Sequence, residues 1–210
     1  MSAIAVVLAG GRSSRMGYED KALKDLGGRP LLAHVLDRLA PQAAHIALNT
    51  NADPGLYAGF GLPVIPDSIS GFAGPLAGIL AGMEWTAGHH PDASHILTVA
   101  ADTPFFPTNL SNVLEEAATH PTGRIALATS NGQWHPVFAY WPVAYRLDLR
   151  AWLAQPQHRR VREWIRSKPH VLVDFPLIKA QNGAYIDPFF NANTPEDLEQ
   201  ALHILRETGP

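Results

Sequence analysis

Residues 6–23 read VVLAGGRSSRMGYEDKAL, and how this stretch is understood decides the fold. An apolar run stops at Gly10-Gly11, the positive charges of Arg12, Arg15 and Lys21 follow, and a new apolar pattern then begins. Ile4–Leu8 is uninterrupted and rich in β-branched residues, which predicts a strand buried on both faces. Such a strand belongs in a parallel sheet covered by helices, and ligands bind those sheets beyond the carboxyl ends of the strands. The loop after the first strand is therefore where a ligand is expected.

Outward from that loop, short apolar runs alternate with helical patterns. Pro30–Leu39 carries Leu31, Leu32, Val35, Leu36 and Leu39 at the spacing of one helix face, with Pro30 near its start. His45–Leu48 and Pro63–Ile65 read as strands, Gly74–Trp85 as a helix rich in small residues, and Ser94–Ala100 (SHILTVA) as a strand leading to Asp102. Pro107–Thr119 reads as a helix, Arg124–Thr129 and Pro136–Tyr140 as strands, Val143–Leu153 and Arg160–Arg166 as helices, and His170–Phe175 as a strand. A last helix opens at Thr194-Pro195-Glu196-Asp197, with a natural N-cap, proline at the first position and acids in the first turn. The alternation predicts an α/β fold, Rossmann-like, with a mostly parallel central sheet between two helical layers. From about Thr129 the pattern is less regular and leaves room for an antiparallel strand or a small subdomain. No linker, repeat or low-complexity segment interrupts it, so residues 1–210 are expected to form one domain.

Composition narrows the function classes. With 46% hydrophobic and 17% charged residues the chain reads as soluble and globular. A net charge of −3 gives no global basic field of the kind nucleic-acid binders carry, so anion binding must come from a local site. The absence of cysteine excludes disulfides, thiolate metal sites and a cysteine nucleophile, and fits a reducing cytoplasm. The first apolar run, Ala3 to Ala9, has no basic flank before it and leads into glycines, unlike a signal peptide. No stretch approaches the roughly 18 apolar residues of a membrane span. The ten histidines contain no H-E-x-x-H, and no Ser–His–Asp spacing suggests a triad.

The glycine loop itself points to phosphate. Gly10 and Gly11 let the backbone come close to a ligand, and successive amides in such a turn form an anion-binding concavity. Arginine adds a fork that grips two phosphate oxygens at once. The stretch is neither G-x-x-x-x-G-K-[ST] nor G-x-G-x-x-G, because its glycines fall at Gly10, Gly11 and Gly17 and no Gly-Lys-Ser or Gly-Lys-Thr follows. Asp102, at the end of the SHILTVAAD strand, faces the same crevice. A hard oxygen ligand there suits Mg²⁺, which uses few carboxylates together with substrate phosphates, although Asp-Thr-Pro is also good turn chemistry.

Leu8-Ala9-Gly10-Gly11, Ser14-Arg15-Met16-Gly17 and Asp20-Lys21 together resemble the signature of nucleotidyltransferases that use a nucleoside triphosphate. Within that superfamily the chain is similar to the molybdenum cofactor guanylyltransferases, the MobA family. The order of Asn49-Thr50-Asn51, Pro66-Asp67-Ser68, Gly74-Pro75-Leu76-Ala77-Gly78, Asp102-Thr103-Pro104-Phe105, His135-Pro136 and Asn191-Ala192-Asn193-Thr194-Pro195-Glu196 carries the resemblance through most of its length. The resemblance implies transfer of GMP from GTP to the terminal phosphate of molybdopterin, with release of pyrophosphate. It places the backbone of Leu8, Ala9 and Gly10 in the guanine pocket and Lys21, Asn49, Asp67 and Asp102 in contact with GTP; Gly11 belongs to the same phosphate loop, and Asn191 reads as a further group holding the triphosphate or the metal. Asp102 would hold the metal, while Arg15 and Lys21 would stabilise charge on the departing pyrophosphate.

By its own chemistry Asp67 suits either the N–H donors of a guanine edge or a ribose hydroxyl, and Asn49 reads equally as a turn residue. His135 reads as a core or capping residue or as part of the acceptor side, and Asn193 as part of that side with Asn191 or of the helix start alone. His89-His90 reads as a polar loop. The glycines and alanines of 74–82 are expected to serve close helix–sheet packing. Two rival functions keep the same loop: a cytidylyltransferase acting on the same cofactor, whose relatives tend to carry alanine for one loop glycine, and an inactive GTP-binding protein that delivers cofactor. The expected setting is a cytoplasmic monomer with no nucleic-acid or membrane partner. It would meet a molybdenum insertion protein and molybdoenzyme targets transiently.

Overall fold

The computed structural model describes residues 3–10, 20–69, 74–121, 123–155 and 160–208. Its central sheet has seven strands: β1 (Ala3–Leu8), β2 (Ala43–Asn49), β3 (Val64–Ile65), β4 (His95–Ala100), β5 (Ile125–Ser130), β6 (Gln133–Pro142) and β7 (His170–Asp174). Their spatial order is β3-β2-β1-β4-β6-β5-β7. Every adjacent pair is parallel except those made by β6, which runs antiparallel to β4 and β5. The mostly parallel sheet and the antiparallel strand in the less regular second half both match the sequence reading.

Strand β1 lies near the middle of the sheet, and its period of two splits the core. Ala3, Ala5 and Val7 join Leu32, Val35 and Leu39 of α1 (Leu31–Leu39) and Leu110, Leu114 and Ala118 of α3 (Leu110–Thr119). Ile4, Val6 and Leu8 join Leu76, Ile79, Leu80 and Met83 of α2 (Pro75–His89) on the other face. Helices α4 (Arg146–Leu153) and α5 (Val161–Arg166) cover that second face further out. The chain leaves β1 toward β2 on one side and later enters β4 on the other. Right-handed crossovers then put α1 and α2 on opposite faces. Burying each large aliphatic of α1 contributes about 1.5–3 kcal/mol.

Helix α2 is apolar nearly all round because it lies between the sheet and α4. Its glycines permit that depth. A Cβ at Gly82 would stand 2.8 Å from Val6 Cγ2, as the packing role expected of the small residues requires. In β6, Pro136 falls where the ladder to β5 skips from His135 to Ala139, so its missing N–H breaks no pairing.

Helix α6 (Pro195–Thr208) begins with the cap read from sequence. Thr194 Oγ1 accepts from Asp197 N at 3.2 Å, and Asp197 Oδ2 accepts from Thr194 N at 2.9 Å, a reciprocal capping pair. A small third core of Leu26, Leu31, Phe105, Ala192, Ala201 and Ile204 docks α6 against the loops that follow β1 and β4. No helix among the described residues is long and apolar enough to cross a membrane.

Candidate active site

The switch point of this sheet lies between β1 and β4, where successive connections leave toward opposite faces. The ladder continues a little past the strand ends. Ala9 N donates to Asn49 O at 2.9 Å and Ala101 N donates to Leu8 O at 3.1 Å, which seats Leu8-Ala9-Gly10 between the ends of β2 and β4. Gly11, Arg12 and Arg15 lie outside the described residues.

One side of the crevice is a network of amides. Asn49 is 3% exposed, and its Nδ2 donates to Ile65 O at 3.1 Å and to Asp67 Oδ1 at 3.0 Å. Asn51 Nδ2 donates to Asp67 Oδ2 at 2.8 Å, and Asp67 N returns a bond to Asn51 Oδ1 at 2.9 Å. Both carboxylate oxygens are thus held from behind, and each keeps a lone pair for a further donor. With both N–H groups of Asn49 engaged, its Oδ1 is left beside the glycines. A Cβ at Gly78 would come within 2.1 Å of that oxygen, and one at Gly10 would stand 4.0 Å from it. Gly78 is therefore glycine because Asn49 occupies the space a side chain would need.

The other side carries charge. Asp20 caps the short turn Lys21–Leu23 by accepting from Ala22 N at 3.0 Å, and that turn presents Lys21. Lys21 Nζ donates to Asn193 Oδ1 at 2.8 Å, across 172 residues of sequence. Asp102 stands nearby and remains partly open to solvent. Among the described residues Thr103 is its only side-chain hydrogen-bond partner, at 3.4 Å. That hydroxyl has one proton and also donates to Asn191 Oδ1 at closer range. Burial pushes the Asp102 pKa above the usual carboxylate value, while the Lys21 ammonium acts to lower it. Ala192 N donates to Asp102 O at 2.9 Å, tying the segment that carries Asn191 and Asn193 to the end of β4.

The structure thus brings Leu8, Ala9, Gly10, Asn49 and Asp67 together on one side, and Lys21, Asp102 and Asn191 on the other. It adds Asn51, Thr103 and Asn193, whose contacts span too much sequence for local spacing to show. Asn193 does more than start α6: its backbone N–H donates to Asp197 Oδ2 at 2.8 Å while its side chain accepts from Lys21. His135 has partners of its own. Its Nε2 lies 2.6 Å from Ser130 Oγ, which donates to Asp187 Oδ1 at 2.7 Å, and its ring stacks on Phe189 at 4.4 Å between centroids. Burial holds its pKa below the usual imidazole value. His89 ends α2, where its Nδ1 donates to Trp85 O at 2.9 Å, rather than standing in a loop.

Among the described residues no three His, Cys, Asp or Glu side chains form a metal cluster. A metal that takes one or two carboxylates and completes its shell with substrate phosphates and water does not need one. Asp102, an oxygen donor whose one side-chain hydrogen bond among the described residues is the weak one to Thr103, fits Mg²⁺ bound in that way.

Comparison with known proteins agrees with the geometry. Residues 5–175 match the model of the MobA-like NTP transferase domain. A molybdenum cofactor guanylyltransferase of Rhizobium meliloti (strain 1021) is 54% identical over 197 residues, covering 94% of this chain and 89% of that protein. Another with the same name, from Rhodopseudomonas palustris (strain BisB5), is 49% identical over 200 residues, covering 95% and 92%. Among solved structures, molybdopterin-guanine dinucleotide biosynthesis protein A of Archaeoglobus fulgidus superposes with a TM-score of 0.74 at 22% identity, covering 98% of this chain and all of that one, a likeness of fold.

Proposed function

Since the chain belongs to the MobA-like NTP transferase domain family, we infer that it is a molybdenum cofactor guanylyltransferase: it moves GMP from GTP onto the terminal phosphate of molybdopterin and releases pyrophosphate. One observation carries the reading. A near-full-length likeness to proteins of that name coincides with a crevice whose two halves suit the two ends of a nucleoside triphosphate.

On the amide side, Asp67 would accept from the paired N–H donors of guanine, its oxygens aimed by Asn49 and Asn51, while Leu8-Ala9-Gly10 lie against the base. On the charged side, Lys21 would leave Asn193 for the β- and γ-phosphates, joined by Arg15 and by the amides of Gly11. Asp102, with Asn191 beside it, would hold Mg²⁺, whose chemistry there is to polarise the α-phosphate and neutralise charge in the triphosphate. A phosphate oxygen of the acceptor forms the new bond to the α-phosphorus as the bond to the β-phosphate oxygen breaks. The nucleophile is already ionised at neutral pH, so no residue is needed as a base, and rate comes from positioning and charge neutralisation.

The whole chain is read as one catalytic unit working in the cytoplasm as a monomer, with the molybdenum insertion protein and molybdoenzymes as transient partners. The test is purified protein with molybdopterin, Mg²⁺ and either GTP or CTP, scored for dinucleotide and pyrophosphate. The guanine product from GTP is expected. Product from CTP alone makes the chain a cytidylyltransferase, and tight GTP binding without either product makes it a carrier.

A further inference from the structure

Tyr57 has no role in the proposed reaction, yet it is hydrogen-bonded to Asp20, the chain neighbour of Lys21. It sits in the 3₁₀ segment Pro54–Phe60, which Asp53 caps through Gly55 N at 2.9 Å and Gly61 ends in the left-handed region at φ 66°. The ring is 1% exposed and packs with the core beneath α1. Its hydroxyl donates to Asp20 Oδ2, while Asp20 Oδ1 accepts from Ala22 N at 3.0 Å. Thr50, which directly follows Asn49, lies beside the phenol and acts to lower its pKa. Burial first, and then Asp20, raise the Tyr57 pKa, so the phenol stays protonated and remains a donor.

The Asp20 carboxylate is therefore held at both oxygens, one by the turn it caps and one by Tyr57. This matters because Asp20 is the neighbour of Lys21 and carries the opposite charge. An unpinned carboxylate beside an ammonium would compete for it, and would put negative charge next to an incoming triphosphate. Pinned, Asp20 turns toward Tyr57, and Lys21 Nζ donates to Asn193 Oδ1, close enough to Asp102 for its charge to be felt there.

We propose that Tyr57 is a positioning residue: by fixing Asp20 away from Lys21, it keeps the lysine ammonium available to the nucleotide phosphates. The proposal rests on the crevice between Gly10 and Asp102 being the nucleotide site. It separates from the full reading because nucleotide binding can be measured without the acceptor.

The experiment compares wild type, Tyr57→Phe, Asp20→Asn and the double variant, by titration with Mg·GTP and by kcat and KM for dinucleotide formation. Tyr57→Phe keeps the ring in the core and removes only the hydroxyl. It should weaken GTP binding and lower kcat/KM roughly tenfold. Asp20→Asn, which retains the cap but not the charge, should stay within a few-fold of wild type.

The decisive result is the double variant. With the charge on Asp20 removed, the missing hydroxyl should no longer matter, so activity and GTP affinity should return to the level of Asp20→Asn. A purely structural tyrosine would lower thermal stability and show no such rescue. Wild-type GTP affinity and turnover in Tyr57→Phe, or a double variant no better than Tyr57→Phe, would overturn the proposal. If wild type binds GTP but makes no dinucleotide, the transferase reading fails, while the affinity series still decides the role of Tyr57.

Discussion

The two sides of the crevice are built on opposite principles. On the Asn49–Asp67 side, both oxygens of Asp67 and both N–H groups of Asn49 have protein partners before any ligand arrives. On the Lys21–Asp102 side, a largely buried carboxylate has one weak side-chain hydrogen bond among the described residues, and burial raises its pKa. A satisfied network is rigid and reads shape, which suits choice of base. An undercompensated carboxylate is costly to keep, and the cost is relieved only when positive charge arrives with the substrate. Selectivity is therefore to be sought on the Asn49–Asp67 side and rate on the Lys21–Asp102 side.

The largest effect should follow from removing the undercompensated group. Asp102→Asn should lower kcat by on the order of 10²–10³ and weaken the Mg²⁺ dependence of turnover, measured by steady-state kinetics across metal concentrations. The same variant should be more stable. A carboxylate whose pKa is higher in the folded than in the unfolded chain is least favourable when ionised, so its penalty is present at neutral pH and disappears as pH falls below the raised value. The melting temperature of Asp102→Asn should therefore exceed that of wild type at neutral pH, with the gap closing on acidification. Each kcal/mol corresponds to roughly 2–4 °C in a chain of this size. Unchanged turnover would mean that the two sides do not differ in kind.

A second test presses on the amide side through its packing. Gly78→Ala drives a methyl into Asn49 Oδ1, and Gly82→Ala drives one into Val6 Cγ2, both from the same helix. Each should cost about 1–3 kcal/mol of stability by overpacking. Only the Gly78 variant should also raise KM for GTP, because only there does the displaced atom belong to the network that holds Asp67. Parallel unfolding curves and KM values check this. Equal effects of the two variants on KM would deny Asn49 its place in recognition.

What the sequence made legible follows from the range of the interactions. Strand β1, helix α1 and the start of α6 could be read because an unbroken β-rich apolar run, one apolar stripe and a Thr-Pro-Glu-Asp cap are all local signals. The loop after β1 and Asp102 could be read as one site because strand ends converge in any parallel sheet. Tyr57 could not be read. The run PGLYAGF has the composition of a loop, and the buried tyrosine is explained only by Asp20, 37 residues earlier. Asn193 looked like part of a helix start because its bond to Lys21 depends on α6 docking through Phe105 and Ala192 against loops far away in sequence. The two-residue ladders 25–26 with 29–30 and 178–179 with 185–186 were too short to show alternation at all.

The smallest effect separates the two sides most cleanly. Asn51 is exposed and donates one of the two bonds that hold Asp67, at 2.8 Å, while Asn49 keeps the other oxygen. Asn51→Ala should leave Asp67 in place but freer to swing, raising KM for GTP about three- to tenfold, the worth of one ordinary hydrogen bond to a charged group at a solvent-accessible position. Turnover at saturating GTP should not change, because the proposed roles of Lys21 toward the phosphates and of Asp102 toward Mg²⁺ would be untouched. Selectivity should change instead: the ratio of kcat/KM for GTP over ITP, which lacks the exocyclic amine, should fall, since a swinging carboxylate no longer meets both N–H groups of guanine together. If Asn51→Ala lowers kcat as much as it raises KM, the amide network reaches into the transition state, and the division between a reading half and a reacting half has to be abandoned.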